Sequence, residues 1–156
     1  LEELELGTIN LAELLEDKVL TFPIVLPEGV NNETGITEAK VDVRFPELTR
    51  TLTVPGLDML FVVSQWPKIR TFHLRSLTVA RAIENQMFVV CCNSCGTAGE
   101  TVYGGNSAII DPWGQTIASA GDKETILAGD CDLSMLTDIR NTIPVFRDRK
   151  TNLYNI

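Results

Sequence analysis

The cysteines are the side chains of this chain that most readily do chemistry. Cys91, Cys92 and Cys95 crowd together and Cys131 lies far downstream, which makes a poor disulfide framework and suits a reducing cytosol. A redox CxxC pair usually opens a helix, whose dipole lowers a thiol pKa, whereas Cys92 and Cys95 follow an apolar run. A zinc site needs a second ligand pair, and Cys131 and the lone His73 are only scattered candidates. We therefore expect small buried or strand-end cysteines, with a redox or metal site as the less favoured alternative.

A second set of chemically distinctive motifs follows in a fixed order from Asp42 to about Tyr154. They are Asp42-Val43-Arg44-Phe45-Pro46-Glu47-Leu48, Gln65-Trp66-Pro67 with Arg70 and His73, Ala80-Arg81-Ala82-Ile83-Glu84-Asn85, Asn93-Ser94, Tyr103-Gly104-Gly105 with Ser107, Asp111-Pro112 with Gly114, and Ile143-Pro144-Val145-Phe146-Arg147. Each motif alone is weak, but the ordered series resembles the nitrilase (carbon–nitrogen hydrolase) superfamily and its amidase-like, omega-amidase-like branch.

The resemblance implies both a fold and a reaction. The fold is an αββα sandwich, and the subunits often pair. The reaction is cleavage of an amide or nitrile C–N bond by a Glu–Lys–Cys triad, without a cofactor. A thiolate attacks the carbonyl to give a thioester. A carboxylate takes the thiol proton, returns it to the departing ammonia and then activates water, while a lysine stabilises the oxyanion.

The resemblance places the general base at Glu28, because the segment 24–28 (IVLPE) is similar to the strand end that carries the family's glutamate. A solvated loop glutamate is the alternative. Lys40 has two interpretations besides an ordinary surface lysine. Counted back from Asp42, it stands where the nucleophilic cysteine should be. Read forward from Gly35, it is similar to the oxyanion lysine.

The nucleophilic cysteine of the family is not found in this sequence. Its place before Asp42 holds Lys40 and Val41. The stretch from Glu28 to Asp42 is also too short for the elements expected there, because one βαβ crossover alone takes about a dozen residues or more. Either internal segments are deleted, or the sequence joins segments that are not contiguous in the natural chain. We favour the second, and unbroken Cα spacing from Pro27 to Arg44 would contradict it.

Aromatic and charged side chains complete the predicted site. By resemblance, Trp66 and Tyr103 are substrate-binding candidates, and Trp66 follows an apolar strand end, where open α/β folds place ligands. A core aromatic is an equally good interpretation of Trp66, and His73 is more often a structural hydrogen-bonding residue. Two arginines are predicted to be buried ion-pair partners rather than substrate clamps, and the pairs are Arg44 with Glu47 and Arg81 with Glu84.

Apolar periodicity predicts the elements that must position these residues. The pattern of strand, helix, strand and then hairpin favours a layered α/β sandwich with a mixed sheet. A turn at Asp111-Pro112-Trp113-Gly114 joins the hairpin strands. The predicted helices are 10–17, 46–52, 72–85 and 133–140, the predicted strands are 21–26, 58–64, 87–92, 107–110, 115–118 and 125–131, and the tail 141–156 is irregular.

Composition narrows the class of protein. At 156 residues with 44% apolar and 22% charged residues, we expect a single domain over 1–156, in which residues 1–41 form an abbreviated N-terminal segment and residues 42–156 a C-terminal half. The net charge of −8 argues against nucleic acid and anionic membranes as partners. No apolar run is long enough to span a bilayer, and no secretory signal is visible. We expect a cytoplasmic, dimeric protein that acts on a small-molecule amide.

Three functions compete at this point. The first is an amidase acting on a small amide, such as the amide of a 2-oxo acid. The second, suggested by the missing cysteine, is a non-catalytic nitrilase-like module or assembly subunit. The third and least favoured is a thiol redox or metal protein built on the four cysteines.

Overall fold

The computed structural model describes residues 42–153 of the chain. Several predictions lie outside this range. They are the helix at 10–17, the strand at 21–26, Glu28, Lys40, and most of the Pro27–Arg44 spacing.

The described residues begin with a helix, a strand, a second helix and a strand, continue with four more strands and end with a third helix. Most boundaries differ from the predicted ones by a residue or two, which confirms the strand–helix–strand pattern and the following hairpin. The elements are α1 (Pro46–Thr53), β1 (Met59–Ser64), a 3₁₀ turn (Lys68–Arg70), α2 (Thr71–Asn85), β2 (Phe88–Asn93), β3 (Cys95–Ala98), β4 (Thr101–Gly104), β5 (Ala108–Ile110), β6 (Thr116–Ser119) and α3 (Ser134–Thr142).

The strands form a mixed four-stranded sheet with the order β1-β2-β5-β6, and a separate β3-β4 pair. The β1 and β2 strands are parallel, with Met59 opposite Phe88 and Ser64 opposite Asn93. The crossover between them is helix α2, as parallel pairing requires. The β2-β5 and β5-β6 pairs are antiparallel.

The two faces of the four-stranded sheet differ in burial. Leu60, Val62, Val89 and Cys91 point to one face and form a core with residues of α2 such as Leu74 and Ala82. On the other face, Phe61 and Val63 are each 63% exposed within the described residues, and Cys92 is exposed too. A sheet with helices on one face and apolar side chains on the other agrees with one half of an αββα sandwich.

The hairpin between β5 and β6 forms as predicted. The Asp111 carboxylate accepts hydrogen bonds from the backbone N–H groups of Trp113 (2.9 Å) and Gln115 (2.8 Å). Gly114 has φ +81°, and a Cβ there would collide with the Ile83 side chain of α2, so this turn requires glycine. The turn thereby fixes the hairpin against α2.

The predicted strand 125–131 is wrong. No strand forms there among the described residues, and Ile126 is 89% exposed. The segment lies against the sheet through Gly129, close to the side chains of Ile117 and Ile109. Apolar content suggested a strand, but a strand also needs a neighbour with which to form ladder hydrogen bonds.

The β3-β4 hairpin was not predicted at all. It is short and mostly exposed, so its residues show neither apolar alternation nor a buried run. Its backbone pairing, with Cys95 opposite Gly104, holds it together.

The C-terminal region follows the prediction closely. Helix α3 begins where the Asp132 carboxylate accepts hydrogen bonds from Ser134 N (3.0 Å) and Oγ (2.7 Å). The helix ends at Thr142, and the chain continues through turns to Leu153. None of the helices among the described residues has the length and apolar character needed to cross a bilayer.

Candidate functional site

The carboxyl ends of β1 and β2 meet at one edge of the sheet. Ser64 and Asn93 are register partners at these ends, and the segments that follow them stay in contact. Ligand sites of open α/β sheets lie at such edges. We call the residues at this place the strand-end edge, and they are Arg44, Trp66, Asn93, Gly104 and Gly105.

The buried carboxamide of Asn93 lies at the centre of the strand-end edge. Its Oδ1 accepts hydrogen bonds from Ser64 Oγ (3.0 Å) and from the backbone N–H of Trp66 (2.7 Å). Its Nδ2 donates to the backbone carbonyls of Trp66 (3.3 Å) and Gly105 (2.8 Å). One side chain therefore ties the end of β1 to the loop after β4.

Trp66 is only 9% exposed and belongs to the hydrophobic core. One face of its indole is nevertheless covered by a cation, because the Arg44 guanidinium carbon lies 4.4 Å from the ring centroid. Trp66 is thus a core aromatic, as one interpretation of the sequence predicted, and its contact with a substrate stays a prediction.

The prediction that Arg44 is a buried partner of Glu47 is wrong. The Arg44 side chain is 46% exposed, and its Nη1 donates to Asp42 Oδ2 at 2.8 Å. The cause is that α1 begins only at Pro46, so Arg44 lies in the preceding turn and not one helical turn before Glu47. The same turn is closed by a hydrogen bond from Arg44 N to Asp42 Oδ1.

Two glycines allow the loop after β4 to approach its neighbours. A Cβ on Gly104 would collide with Thr71 Oγ1 and lie 3.3 Å from Lys68 Cα. Gly105 has φ +57°, and a Cβ there would collide with the Gly121 carbonyl and lie 2.9 Å from Asp122 Cα. The loop therefore needs glycine at both positions.

An exposed ion pair lies beside these glycines. Lys68 Nζ donates to Asp122 Oδ2 at 3.1 Å. Lys68, through this hydrogen bond and its charge, holds the pKa of the Asp122 carboxyl below its usual range.

The two remaining aromatic candidates lie close to this region. Tyr103 is half-buried on β4 and pairs through its backbone with Pro67, next to Trp66. His73 is exposed near the start of α2, where its ring contacts the edge of the Phe72 ring. Within residues 42–153, His73 has no hydrogen-bond partner for its ring, so the structure gives no support to its predicted structural role.

A second polar region lies on the helix side, and we call it the arginine base. Its members Arg50, Arg81 and Arg140 each donate to backbone carbonyl groups. Arg81 is the most buried, with a side chain that is 5% exposed, and it binds Val43 O through Nε and Nη2. Its Nη1 donates to Glu84 Oε1 at 2.6 Å, which confirms the predicted Arg81–Glu84 pair.

The other two members connect further segments. Arg50 Nη2 donates to the Glu84 carbonyl, and burial lowers the pKa of Arg50. Arg140 of α3 donates to Asp58 Oδ1 and to the carbonyls of Leu57 and Gln86. The three arginines of the arginine base therefore connect segments of the fold through hydrogen bonds to backbone carbonyls.

The positions of Cys91, Cys92 and Cys95 argue against a nucleophile among these three cysteines. Burial raises the pKa of the Cys91 thiol to about 11, with hydrogen bonding to Ser64 opposing the shift, so this thiol is protonated at neutral pH. Cys92 and Cys95 lie on strands β2 and β3 rather than at a helix start, which removes the dipole effect that activates a redox CxxC. Residues 42–153 hold no cluster of three or more metal-ligating side chains.

Tyr103 pairs through its backbone with Pro67, which follows Trp66, so these two substrate-binding candidates lie near each other, and their contact with a substrate stays a prediction. Glu28 and Lys40 lie outside the described residues. The sequence placed Asn93 in the ordered motif series, through Asn93-Ser94, but gave it no role in the site. It also did not predict the exposed position of Arg44.

Comparison with known proteins gives one family match. Residues 25–141 match the family model described as carbon-nitrogen hydrolase. A 2-oxoglutaramate amidase of Bacillus subtilis is 44% identical over 113 residues, which are 72% of this chain and 44% of that protein. A 2-oxoglutaramate amidase of Paenarthrobacter nicotinovorans is 38% identical over 134 residues, or 85% of this chain and 46% of that protein.

Solved structures agree with the fold. A CN-hydrolase superfamily protein of Xanthomonas campestris superimposes with a TM-score of 0.66 and 30% identity, covering 74% of this chain and 45% of that one. Nit3 of Saccharomyces cerevisiae, a member of the nitrilase superfamily, gives a TM-score of 0.65 at 27% identity, over 70% of this chain and 41% of that one. The chain thus spans less than half the length of these four proteins.

Proposed function

The chain belongs to the carbon–nitrogen hydrolase family, and from this membership we propose that the protein is an amidase acting on a small-molecule amide of a 2-oxo acid. The observation that carries the proposal is the 44% identity to a 2-oxoglutaramate amidase over most of this chain. A second relative with the same name, at 38% identity, supports the same substrate class. The activity is a proposal because the chain covers only 44% and 46% of these two relatives.

The strand-end edge supports a substrate that carries a carboxylate. The Arg44 guanidinium is half-exposed and lies over the Trp66 ring, and its Nη1 is paired with Asp42 Oδ2 at 2.8 Å. A substrate carboxylate would therefore bind its solvent-exposed nitrogens or replace the Asp42 carboxylate. A guanidinium binds a carboxylate with charge-assisted hydrogen bonds. We assign to Arg44 the carboxylate of a 2-oxo acid, and to Trp66 and Tyr103 contacts with its carbon chain.

The proposed mechanism follows the family chemistry. A cysteine thiolate attacks the amide carbonyl, ammonia leaves, and water hydrolyses the thioester to the free acid. Glu28 would be the general base and Lys40 the oxyanion-stabilising residue. The nucleophile is the missing member, since Val41 stands immediately before Asp42 and Cys91 is a buried, protonated thiol.

The test is ammonia release from 2-oxoglutaramate and from a panel of simple amides by the full-length protein that the gene encodes, including any segment that supplies the nucleophilic cysteine. We expect release from the 2-oxo acid amide, loss of release after thiol alkylation, and loss in Glu28→Gln. Absence of ammonia release across the whole panel would overturn the proposal.

A non-catalytic nitrilase-like module or assembly subunit is the second candidate function. The residues before Asp42 favour it, because neither Lys40 nor Val41 can act as the thiol nucleophile. The sequence of the encoding gene decides between the two functions. A cysteine codon immediately before Asp42 eliminates the module, and an uninterrupted reading frame identical to this sequence supports it.

We further propose that the protein is a single domain over 1–156, cytoplasmic and homodimeric. Exposed apolar side chains of the described residues, such as Phe61, Val63 and Phe72, support pairing. Light scattering of the purified protein tests the proposed dimer, and a monomer mass that persists at high concentration contradicts it. A free-thiol count and a zinc measurement on the same sample test the redox or metal alternative.

A further inference from the structure

We propose that Asn93 is a positioning residue that sets Trp66, and through it Arg44, at the strand-end edge. The inference rests on the proposed function only in assigning a substrate to this edge. The positioning itself is a property of the folded chain and can be measured without substrate.

The Asn93 side chain is buried and fully hydrogen-bonded. Asn93 is 6% exposed, and its carboxamide makes four hydrogen bonds inside the protein. Oδ1 has donors on both sides and Nδ2 has carbonyl acceptors on both sides, so only one orientation of the amide satisfies all four. A buried network in which every member is satisfied specifies a single arrangement.

Two of these four hydrogen bonds hold the backbone of Trp66. Its backbone N–H donates to Asn93 Oδ1, and its carbonyl accepts from Asn93 Nδ2 and from Gly104 N. Trp66 lies beyond the last residue of β1, so the Asn93 side chain replaces the ladder partner that a longer strand would supply. Displacement of the Trp66 backbone would move the indole on which Arg44 is stacked.

Asn93 is also held from its own backbone. Its N–H donates to Ser107 Oγ at 3.0 Å, just before β5. The side chain binds Gly105 O, so the loop between β4 and β5 is fixed at both of its ends by the same residue. The edge is therefore positioned relative to the sheet, and not merely packed against it.

No other common side chain reproduces these contacts. Aspartate keeps the two acceptor contacts but places a second oxygen against the carbonyls of Trp66 and Gly105. Protonation of that oxygen restores one donor. Alanine removes all four hydrogen bonds and leaves buried backbone groups without partners.

The experiment uses Trp66 as its own reporter. The chain has two tryptophans, so Trp113→Phe leaves Trp66 as the single tryptophan, which can be excited selectively over the two tyrosines. In that background we expect Asn93→Ala to shift Trp66 emission to the red and to raise acrylamide quenching about twofold or more, because the edge loses its buried hydrogen bonds. Asn93→Asp should show the same change at neutral pH and revert partially when the carboxyl is protonated at low pH.

Asn85→Ala is the matched control. Asn85 is equally buried, but it lies at the end of α2, before β2 begins, and its Nδ2 donates to Arg81 O. Its loss should lower the thermal midpoint without changing the Trp66 spectrum. An unchanged Trp66 spectrum in folded Asn93→Ala and Asn93→Asp overturns the proposal, and so does an equal spectral change in Asn85→Ala.

A second measurement separates positioning from the proposed function. Titration of the Trp113→Phe protein with 2-oxoglutaramate should change Trp66 fluorescence, and Asn93→Asp should weaken the apparent affinity roughly 10- to 100-fold, as expected for a misplaced binding group. No response in the parent protein removes the proposed substrate contact at this edge. The spectral comparison without ligand still decides the role of Asn93.

Discussion

Two regions hold the turn at residues 42–45, and they use positive charge in different ways. In the arginine base, the Arg81 side chain is buried and binds the Val43 carbonyl. At the strand-end edge, the neighbouring Arg44 is half-exposed on the face of Trp66, and a neutral carboxamide makes the buried hydrogen bonds instead. A buried arginine that donates to backbone carbonyls, such as Arg81, stabilises the fold. A half-exposed arginine, such as Arg44, can still bind a ligand.

The largest effect should come from the arginine base. Arg81→Ala removes the donors to Val43 O and leaves Glu84 without its partner, which should lower the free energy of unfolding by about 3 kcal/mol. Urea denaturation measures this. Arg147→Ala is the matched control, since its pair with Asp148 is exposed and should be worth no more than about 0.5 kcal/mol. Equal losses in the two variants would remove the distinction between buried and exposed arginines.

The stability of the strand-end edge should depend more on the close backbone contacts at its glycines than on its charged side chains. Gly105→Ala combines a left-handed conformation with a collision against the 121–122 backbone, and should cost about 2 kcal/mol. Gly99→Ala has nearly the same φ, +58°, and nothing within 4 Å of its added Cβ, so it should cost only about 1 kcal/mol. Thermal unfolding of both variants isolates the contact, and similar midpoints would show that the loop moves freely.

The same contrast explains what the sequence could and could not predict. The β1-α2-β2 unit was predictable because two buried strands read as continuous apolar runs and the helix between them has its own period. The Arg81–Glu84 pair was predictable because both residues lie within one helix at i,i+3 spacing. Arg44 and Glu47 have the same spacing, but the helix begins between them, and helix starts are the least certain feature of a pattern.

The hydrogen-bonding role of Asn93 could not be predicted from its neighbours in sequence. Its partners Ser64, Trp66 and Gly105 come from separate segments that meet only in the fold. The β3-β4 hairpin was missed for a related reason, since its stability lies in backbone pairing that leaves no apolar pattern. Motif order indicated the candidate edge, but its geometry required the structure.

Arg44→Ala should separate function from stability. The lost ion pair with Asp42 is partly exposed, so the free energy of unfolding should change by less than about 1 kcal/mol. Under the proposed function, kcat/KM for 2-oxoglutaramate should fall roughly tenfold or more, because a charge-assisted contact to the carboxylate is lost. Arg44→Lys keeps the charge but loses the planar stacking on Trp66 and should recover only some of the activity. A strongly destabilised Arg44→Ala would place this residue with the arginine base instead.

The smallest effect should come from the exposed Lys68–Asp122 pair beside Gly105. Because Lys68 lowers the pKa of Asp122, the pair stabilises the folded state above the ordinary aspartate pKa of about 3.9, and this contribution is lost as pH falls through the lowered folded-state value. Asp122→Asn should therefore lower the thermal midpoint slightly at neutral pH and match the parent protein in strong acid. High salt should shrink the difference at neutral pH, because both side chains are more than half exposed. A difference that persists in acid and in high salt would contradict an effect of the Asp122 charge.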